Sequence, residues 1–163
     1  MRDIKNNNLP KRFDASAPEF DLFQSPFYLI AHADFGYHED LDIVIQKFGL
    51  DRTTYRLLTI MMRRSPINIK ELASLSLIKR ATTSRALERM RKKGWIEQAS
   101  DAKDNRNINV SLSPSGRELA RKVMCFGSRQ LQRAVNGLNE DQIADLVKLL
   151  NHMVSNLSRL PIE

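Results

Sequence analysis

The segment from residue 68 to residue 112 reads NIKELASLSLIKRATTSRALERMRKKGWIEQASDAKDNRNINVSL, and its pattern decides the fold. Apolar residues at helical spacing predict two helices, over 68–74 and 79–93, that are joined by a short link. Two short strands, over 95–99 and 108–112, then flank a polar loop. The segment therefore predicts a helix-turn-helix that is followed by a β-hairpin.

Positive charge is concentrated in the same part of the chain. The 163 residues carry a formal net charge of +7, and the stretch from Met61 to Arg106 contains 12 lysines and arginines against 5 acids, which accounts for the whole excess. Such a concentration in one folded segment fits phosphate binding with release of counterions. A solvated surface can have the same composition, so charge alone does not decide the function.

The second helix of the pair presents polar and cationic side chains at helical spacing. A helix of this kind, held by a short turn against another helix, suits the major groove of duplex DNA. Hydroxyl groups can contact phosphates or base edges, and an arginine can bind guanine through two hydrogen bonds. The residues expected to contact DNA on this helix are Lys79, Arg80, Thr82, Ser84, Arg85 and Arg89, and those expected to pack inward with Leu72 are Thr83, Leu87 and Met90.

The hairpin loop adds a second cationic element. Lys103 and Arg106 lie on this short projecting loop, from which long side chains could enter the narrower minor groove. Asp104 could orient Arg106 or a base of the second helix through a charge-assisted hydrogen bond, or it could be an ordinary turn aspartate. A helix-turn-helix with an adjoining wing is a more specific pattern than either part alone.

Over about residues 50 to 120 the sequence resembles the MarR family of bacterial transcription regulators. The similar residues are Glu71-Leu72-Ala73, the run from Glu88 to Glu97, and the wing and helix-start residues Asp101, Asp104, Arg106, Val110-Ser111-Leu112-Ser113 and Gly116. The resemblance implies a homodimer whose two recognition helices read adjacent major grooves of a pseudo-palindromic operator, with Arg106 in the minor groove. It also implies a repressor that a small molecule releases from DNA.

Three residues depart from the family pattern. Leu77 stands where the family often has a turn glycine, Lys103 where it often has arginine, and Asn105 where a second basic residue is common. Fewer charges on the wing predict a weaker wing contribution to binding.

The remaining residues predict flanking helices around the same core. We expect one structural domain, mainly α, with six helices and a β-hairpin wing. Its parts are a flexible N-terminal arm over 1–24, dimerisation helices over 25–50 and 114–163, and the winged helix-turn-helix over 51–113.

The last of the six predicted helices, α6, begins at residue 139 and carries a regular apolar repeat, here called the α6 seam. Asn139 and Gln142 are spaced as a capping box at its start. Apolar residues recur at alternating spacings of three and four, which is typical of a helix that pairs with another helix. The partner is a second copy of the chain or another helix of the same chain. The seam consists of Ile143, Leu146, Leu150, Met153, Leu157 and Leu160.

The first helix is rich in aromatic rings. The family resemblance implies an effector site between the first two helices and the long helix that follows the wing. A flat apolar slot with polar tips suits an aromatic or phenolic acid, or its thioester, and an arginine suits the carboxylate. Rings that simply fill the core are the alternative. The candidate effector-binding residues are Tyr28, His32, Phe35, His38, Tyr55 and Arg56.

Other sensing chemistries have weaker support. His38, Glu39, Asp40 and Asp42 could supply metal ligands, but consecutive residues diverge around a helix, so no metal or cofactor is predicted. Redox sensing would depend on Cys125, which lies in an apolar helical turn where a buried, inert thiol is expected. A DNA-binding protein of the same fold without any ligand also remains open.

Several broad classes are disfavoured. The six glycines are scattered, and no nucleophile and base are grouped, so no enzyme is predicted. No run approaches the roughly 18 apolar residues of a membrane-spanning helix. The polar N-terminus has no apolar signal core, so a cytoplasmic protein is expected. The single cysteine leaves no internal disulfide.

Overall fold

The computed structural model describes residues 9–100 and 108–159. Within these residues the chain forms six α-helices and one three-stranded antiparallel sheet, which confirms the predicted mainly α, winged helix-turn-helix fold. The helices are α1 (Pro26–Gln46), α2 (Arg52–Arg63), α3 (Ile69–Ser76), α4 (Arg80–Lys92), α5 (Pro114–Ala134) and α6 (Glu140–Arg159), and the strands are β1 (Ile67–Asn68), β2 (Ile96–Ser100) and β3 (Ile108–Leu112).

The described part of the predicted N-terminal arm, residues 9–24, contains regular local structure. It contains two short 3₁₀ helices, Lys11–Phe13 and Leu22–Gln24. The Phe23 ring meets the Tyr28 ring edge-on, with 5.4 Å between centroids, so the end of the arm packs on the start of α1. Residues 1–8 of the predicted arm lie outside the described residues.

Side-chain caps set the starts of several helices. The Asp51 carboxylate accepts from the Thr54 amide at 2.6 Å and begins α2, which satisfies an N–H that has no partner within the helix. Asn139 and Gln142 form the predicted capping box, with both reciprocal bonds at 2.9 Å. The helix bounds follow the sequence pattern closely, although α3 continues two residues beyond the predicted end at residue 74.

The sheet has the order β1-β3-β2. β2 and β3 form the predicted hairpin, with Ile96 opposite Leu112, and both side chains are buried. β1 was not predicted, because two residues carry too little pattern to mark a strand. It pairs Ile67 with Val110 and so ties the start of the helix-turn-helix to the wing.

One hydrophobic core joins the helix-turn-helix to the flanking helices. It includes Ile45 of α1, Leu57 of α2, Leu87 of α4 and Val123 of α5. The start of α5 lies against the base of the wing at Gly116, where an added Cβ would come within 1.9 Å of the Trp95 carbonyl oxygen. The orientation of the wing is therefore fixed relative to α5.

α6 is different, because it makes no substantial contact with any other described helix or strand. Leu146, Leu150 and Leu157 of the α6 seam are exposed, and Leu160 lies outside the described residues. Among the described residues, the seam therefore has no helix or strand of its own chain that covers it. In the part of the chain that the structure describes, no helix is both long and apolar enough for a transmembrane span.

Candidate nucleic-acid interface

The helix α4 has two distinct faces. Thr83, Ala86, Leu87 and Met90 are buried against the core, as the apolar spacing predicts. The opposite face is open to solvent and carries every residue of α4 and its cap that was predicted to contact DNA. These exposed residues are Lys79, Arg80, Thr82, Ser84, Arg85 and Arg89.

Arg89 differs from its neighbours because it has a partner on α2. Its guanidinium donates to the Asp51 carboxylate at 3.0 Å. Burial acts to raise the pKa of Asp51, but hydrogen bonds from Thr54 and the charge of Arg89 outweigh it, so this pKa lies below its usual value. One carboxylate thus caps α2 and holds α4 against it.

The end of α4 is held in a similar way. Lys93 donates from Nζ to the Gly49 carbonyl at 3.1 Å and lies over the Trp95 ring, 4.5 Å from its centroid. By contrast, Lys79, Arg80 and Arg85 have no ion pair among residues 9–100 and 108–159. These three cations are available to phosphates and bases.

The turn between α3 and α4 has an unusual backbone. Leu77 adopts left-handed dihedral angles, φ 56° and ψ 33°, while its side chain is 87% exposed. This conformation favours glycine and costs other residues about 1 to 2 kcal/mol. Leu77 therefore adopts the left-handed conformation that a glycine would adopt without strain, and it does so at this energetic cost.

The wing loop carries three of the predicted site residues. Lys103, Asp104 and Arg106 lie outside the described residues, so their predicted roles stay predictions. β2 and β3 are paired through Ser100 and Ile108, the residues that adjoin this loop.

The candidate effector residues divide into an open group and a buried group. The rings of Tyr28 and His32 are in contact, with 4.3 Å between their centroids and their planes tilted by 41°. His32 borders two cavities, of about 340 and 330 Å³, and Phe35, which is 64% exposed, borders the second. These three residues form one continuous surface along α1.

His38 and Tyr55 belong instead to the core. The His38 ring donates from Nδ1 to the Asp34 carbonyl at 2.9 Å. The Tyr55 hydroxyl bonds to that of Tyr37 beside Gly127, and burial together with this neighbour raises the pKa of Tyr55 above its usual value. Both residues agree with the alternative that some of the rings fill the core.

Arg56 does not face the aromatic surface of α1. Its Nη1 donates to the Ser76 carbonyl at 3.2 Å, at the end of α3. The structure therefore does not bring Arg56 together with Tyr28, His32 and Phe35.

The cations that do border this part of α1 come from α5, and the sequence interpretation missed them. Arg133 lines the cavity of about 340 Å³ beside His32 and a neighbouring one of about 250 Å³, and it is ion-paired with Asp40. Arg129 lines the cavity of about 250 Å³ and lies over the Phe126 ring. The spacing of Arg129 and Arg133, one helical turn apart, was the available signal.

Two other expectations concern metal and redox chemistry. Across residues 9–100 and 108–159, no three His, Cys, Asp or Glu side chains are grouped so that they could hold a metal ion. Cys125 is exposed in the single chain, so the expectation of a buried thiol is wrong. The residue lies on the solvent side of α5 rather than on the side that meets the core.

Comparisons with known proteins agree with this geometry. The MarR family model matches residues 48–106. The chain is 25% identical over 147 residues to the HTH-type transcriptional repressor IacR of Pseudomonas putida, a match that covers 90% of this chain and 88% of that one.

Two solved structures share the fold beyond the matched segment. A MarR-family transcriptional regulator from Silicibacter pomeroyi superposes with a TM-score of 0.79 at 22% identity, over 89% of this chain and 96% of that one. Bordetella bronchiseptica BpsR, whose DNA binding is regulated by 6-hydroxynicotinic acid, superposes with a TM-score of 0.72 at 21% identity, over 83% and 96% of the two chains. Together with the exposed cationic face of α4, these matches show that residues 48–106 are similar to the MarR family of transcription regulators and that the chain shares the winged helix-turn-helix fold of its members.

Proposed function

We propose that the protein is a homodimeric repressor that binds a pseudo-palindromic duplex operator through α4 and leaves it when an aromatic acid binds beside α1. The observation that carries the DNA-binding part is the division of α4 into a buried apolar face and an exposed face with three unpaired cations, Lys79, Arg80 and Arg85, within the described residues. Such a face can approach phosphates and bases without first breaking an ion pair.

The α6 seam supports the dimer. It exposes apolar side chains at a repeat that fits a facing helix, and none of the helices that the structure describes in the same chain packs against it. The outer side of α1 adds Phe27, Phe35 and Ile43, which are all more than half exposed. Exposed apolar area of this extent is typical of an interaction surface.

A repressor is supported by the similarity to IacR, which is named a repressor. An aromatic acid is supported by BpsR, because 6-hydroxynicotinic acid is an aromatic ring with a carboxylate. In this chain, the adjacent Tyr28 and His32 rings offer an aromatic surface to such a ring. Arg133 offers a guanidinium to the carboxylate, in exchange for Asp40.

Effector control requires a difference in affinity between two states. A ligand can release DNA only if it binds more tightly to the form whose recognition helices do not fit the operator. A ligand wedged between α1 and α5 would act on α1, which carries part of the apolar surface proposed for the dimer. We therefore expect it to change the spacing of the two copies of α4.

The DNA-binding proposal is tested with a random-sequence pool of duplexes. The purified protein should enrich a defined sequence from the pool, and its affinity for that duplex should fall steeply as the salt concentration rises. Absence of enrichment, or binding that is indifferent to ionic strength, would contradict the proposal.

The effector proposal is tested by thermal shift with a panel of aromatic acids that includes 6-hydroxynicotinic acid. An acid that binds the native state must raise the melting temperature. Arg133→Gln and His32→Ala should abolish the shift and the release from DNA while DNA binding is retained. Arg121→Gln, an exposed cation on the same helix, is the matched control and should respond as the wild type does. If no acid in the panel shifts the melting temperature, the ligand-independent alternative is favoured.

A further inference from the structure

The end of α3 is closed by a hydrogen-bonded turn that leaves one buried carbonyl to be satisfied from outside. The Leu77 amide donates to the Ser74 carbonyl and the Ile78 amide donates to the Ala73 carbonyl, both at 3.2 Å. This pair of bonds is the Schellman closure of a helix, and it requires the left-handed conformation at Leu77. It does not use the carbonyl of Ser76, a residue that is completely buried.

Arg56 supplies the missing donor. Its Nη1 lies 3.2 Å from the Ser76 carbonyl oxygen, across the contact between α2 and α3. A guanidinium at this place also meets the partial negative charge at the C-terminus of α3. Without Arg56, the Ser76 carbonyl would be buried without a hydrogen bond, which is costly.

The start of α4 depends on this turn. Lys79 occupies the N-cap position of α4, but its side chain makes no capping hydrogen bond. The exposed Leu77 side chain packs on nothing that could compensate for its left-handed backbone. The position of the first turn of α4, which carries Arg80, Thr82 and Ser84, is therefore set by the closure of α3.

We infer that Arg56 is a positioning residue for sequence-specific DNA recognition, which acts by bracing the strained turn between α3 and α4. It touches neither DNA nor effector. The inference rests on the proposed operator binding, because it concerns how the recognition helix is aimed. It assigns to Arg56 a different role from the effector contact that the sequence predicts.

The test compares binding to two duplexes. One is a duplex enriched by the wild-type protein from a random pool, and the other has the same composition in scrambled order. Arg56→Met removes the donor and the charge but keeps an unbranched apolar stem. A misaimed α4 loses base contacts and keeps its charge, so the preference for the enriched duplex should fall by about tenfold while affinity for the scrambled duplex is unchanged. The slope of affinity against salt should also be unchanged, because no phosphate contact is lost.

The second substitution makes the test specific to the turn. Leu77→Gly relieves the left-handed strain, so the turn needs less bracing. In the double variant Arg56→Met with Leu77→Gly, the preference should return to within about threefold of the wild type, whereas Leu77→Gly alone should leave it unchanged. General destabilisation by Arg56→Met would weaken binding to both duplexes alike and would overturn the inference.

A milder variant keeps the test decisive if Arg56→Met does not fold. Arg56→Gln retains a polar tip with an N–H donor, and it should lower the preference in the same direction by a smaller factor. If each folded variant keeps the wild-type preference for the enriched duplex, the inference is overturned. It is also overturned if the affinity of a variant falls less steeply with salt than that of the wild type. If the wild-type protein enriches no sequence at all, the proposed function itself has failed and not merely the role of Arg56.

Discussion

Most apolar residues of the described winged helix-turn-helix are buried, whereas many of those on the last helix are exposed. In the former, Leu72, Leu87 and Val110 are completely or almost completely buried within one chain. In α6, Leu149, Val154 and Leu157 are all more than half exposed. The core of the described helix-turn-helix and its strands is therefore closed within a single copy, while the apolar residues of α6 are left uncovered by the rest of the described chain. We therefore expect the proposed DNA reading and the proposed dimerisation to be separable by mutation.

The largest effect should come from charge placed on the α6 seam. Leu146→Glu combined with Leu150→Glu should leave the helix-turn-helix folded but yield monomers. Two linked binding elements gain on the order of 100-fold in affinity over one, so DNA affinity should fall by about that factor. Sedimentation equilibrium and DNA titration measure the two effects.

The matched control places the same charges on exposed polar residues of α6. His152→Glu combined with Asn156→Glu should remain dimeric and bind DNA as the wild type does. Monomers in the control, or dimers in the seam variant, would remove the distinction between the two regions.

The next effect concerns the joint between the wing and α5. Gly116→Ala places a methyl group within 1.9 Å of the Trp95 carbonyl oxygen, where only backbone movement can make room. We expect the free energy of unfolding to fall by about 1 to 3 kcal/mol in denaturant titration. Gly36→Ala in α1 is the control, because its methyl group meets nothing within 4 Å and should stabilise the helix by up to about 1 kcal/mol.

A smaller effect separates two arginines of α4. Arg85 is unpaired among the described residues, whereas Arg89 is bonded to Asp51. Arg85→Ala should reduce affinity for the enriched duplex by about 1 to 3 kcal/mol with little change for a scrambled one. Equal binding by the variant and the wild type in fluorescence anisotropy would remove Arg85 from the base-reading residues.

The smallest effect is the pH dependence of the pair between Asp51 and Arg89. Asp51→Asn keeps an N-cap for α2 but loses the ion pair, at a cost of roughly 0.2 to 1 kcal/mol for an exposed pair. Because the pKa of Asp51 is lowered in the folded state, its contribution is present above the usual pKa of an aspartate and is lost as the pH falls through the lowered pKa of the folded protein. Unfolding of both proteins from pH 7 to pH 3 should show the difference in stability shrink toward zero.

Much of the fold could be predicted because its signals are local. Asp51 and the pair of Asn139 and Gln142 mark helix starts through bonds to residues only three positions away. The inward and outward faces of α4 follow from helical spacing alone. The family resemblance added the order of helices and wing.

The remaining features depend on contacts between residues distant in sequence. The partner of Arg56 is Ser76, 20 residues away, and spacing along α2 cannot identify it. Arg133 meets Asp40 across 93 residues, so the cations beside α1 could not be assigned from α1 itself. Leucine itself does not mark a left-handed turn, so the backbone of Leu77 was signalled by the family resemblance, which places a turn glycine at this position, and not by the residue.

The central claim is that two copies of α4 read duplex DNA at a separation fixed by the dimer. It is tested most directly by selection from a random pool of duplexes followed by sequencing of the bound fraction. The account predicts an inverted repeat whose half-site centres lie about one helical turn apart, or a multiple of it. A single unrepeated site, or no enrichment at all, would contradict it.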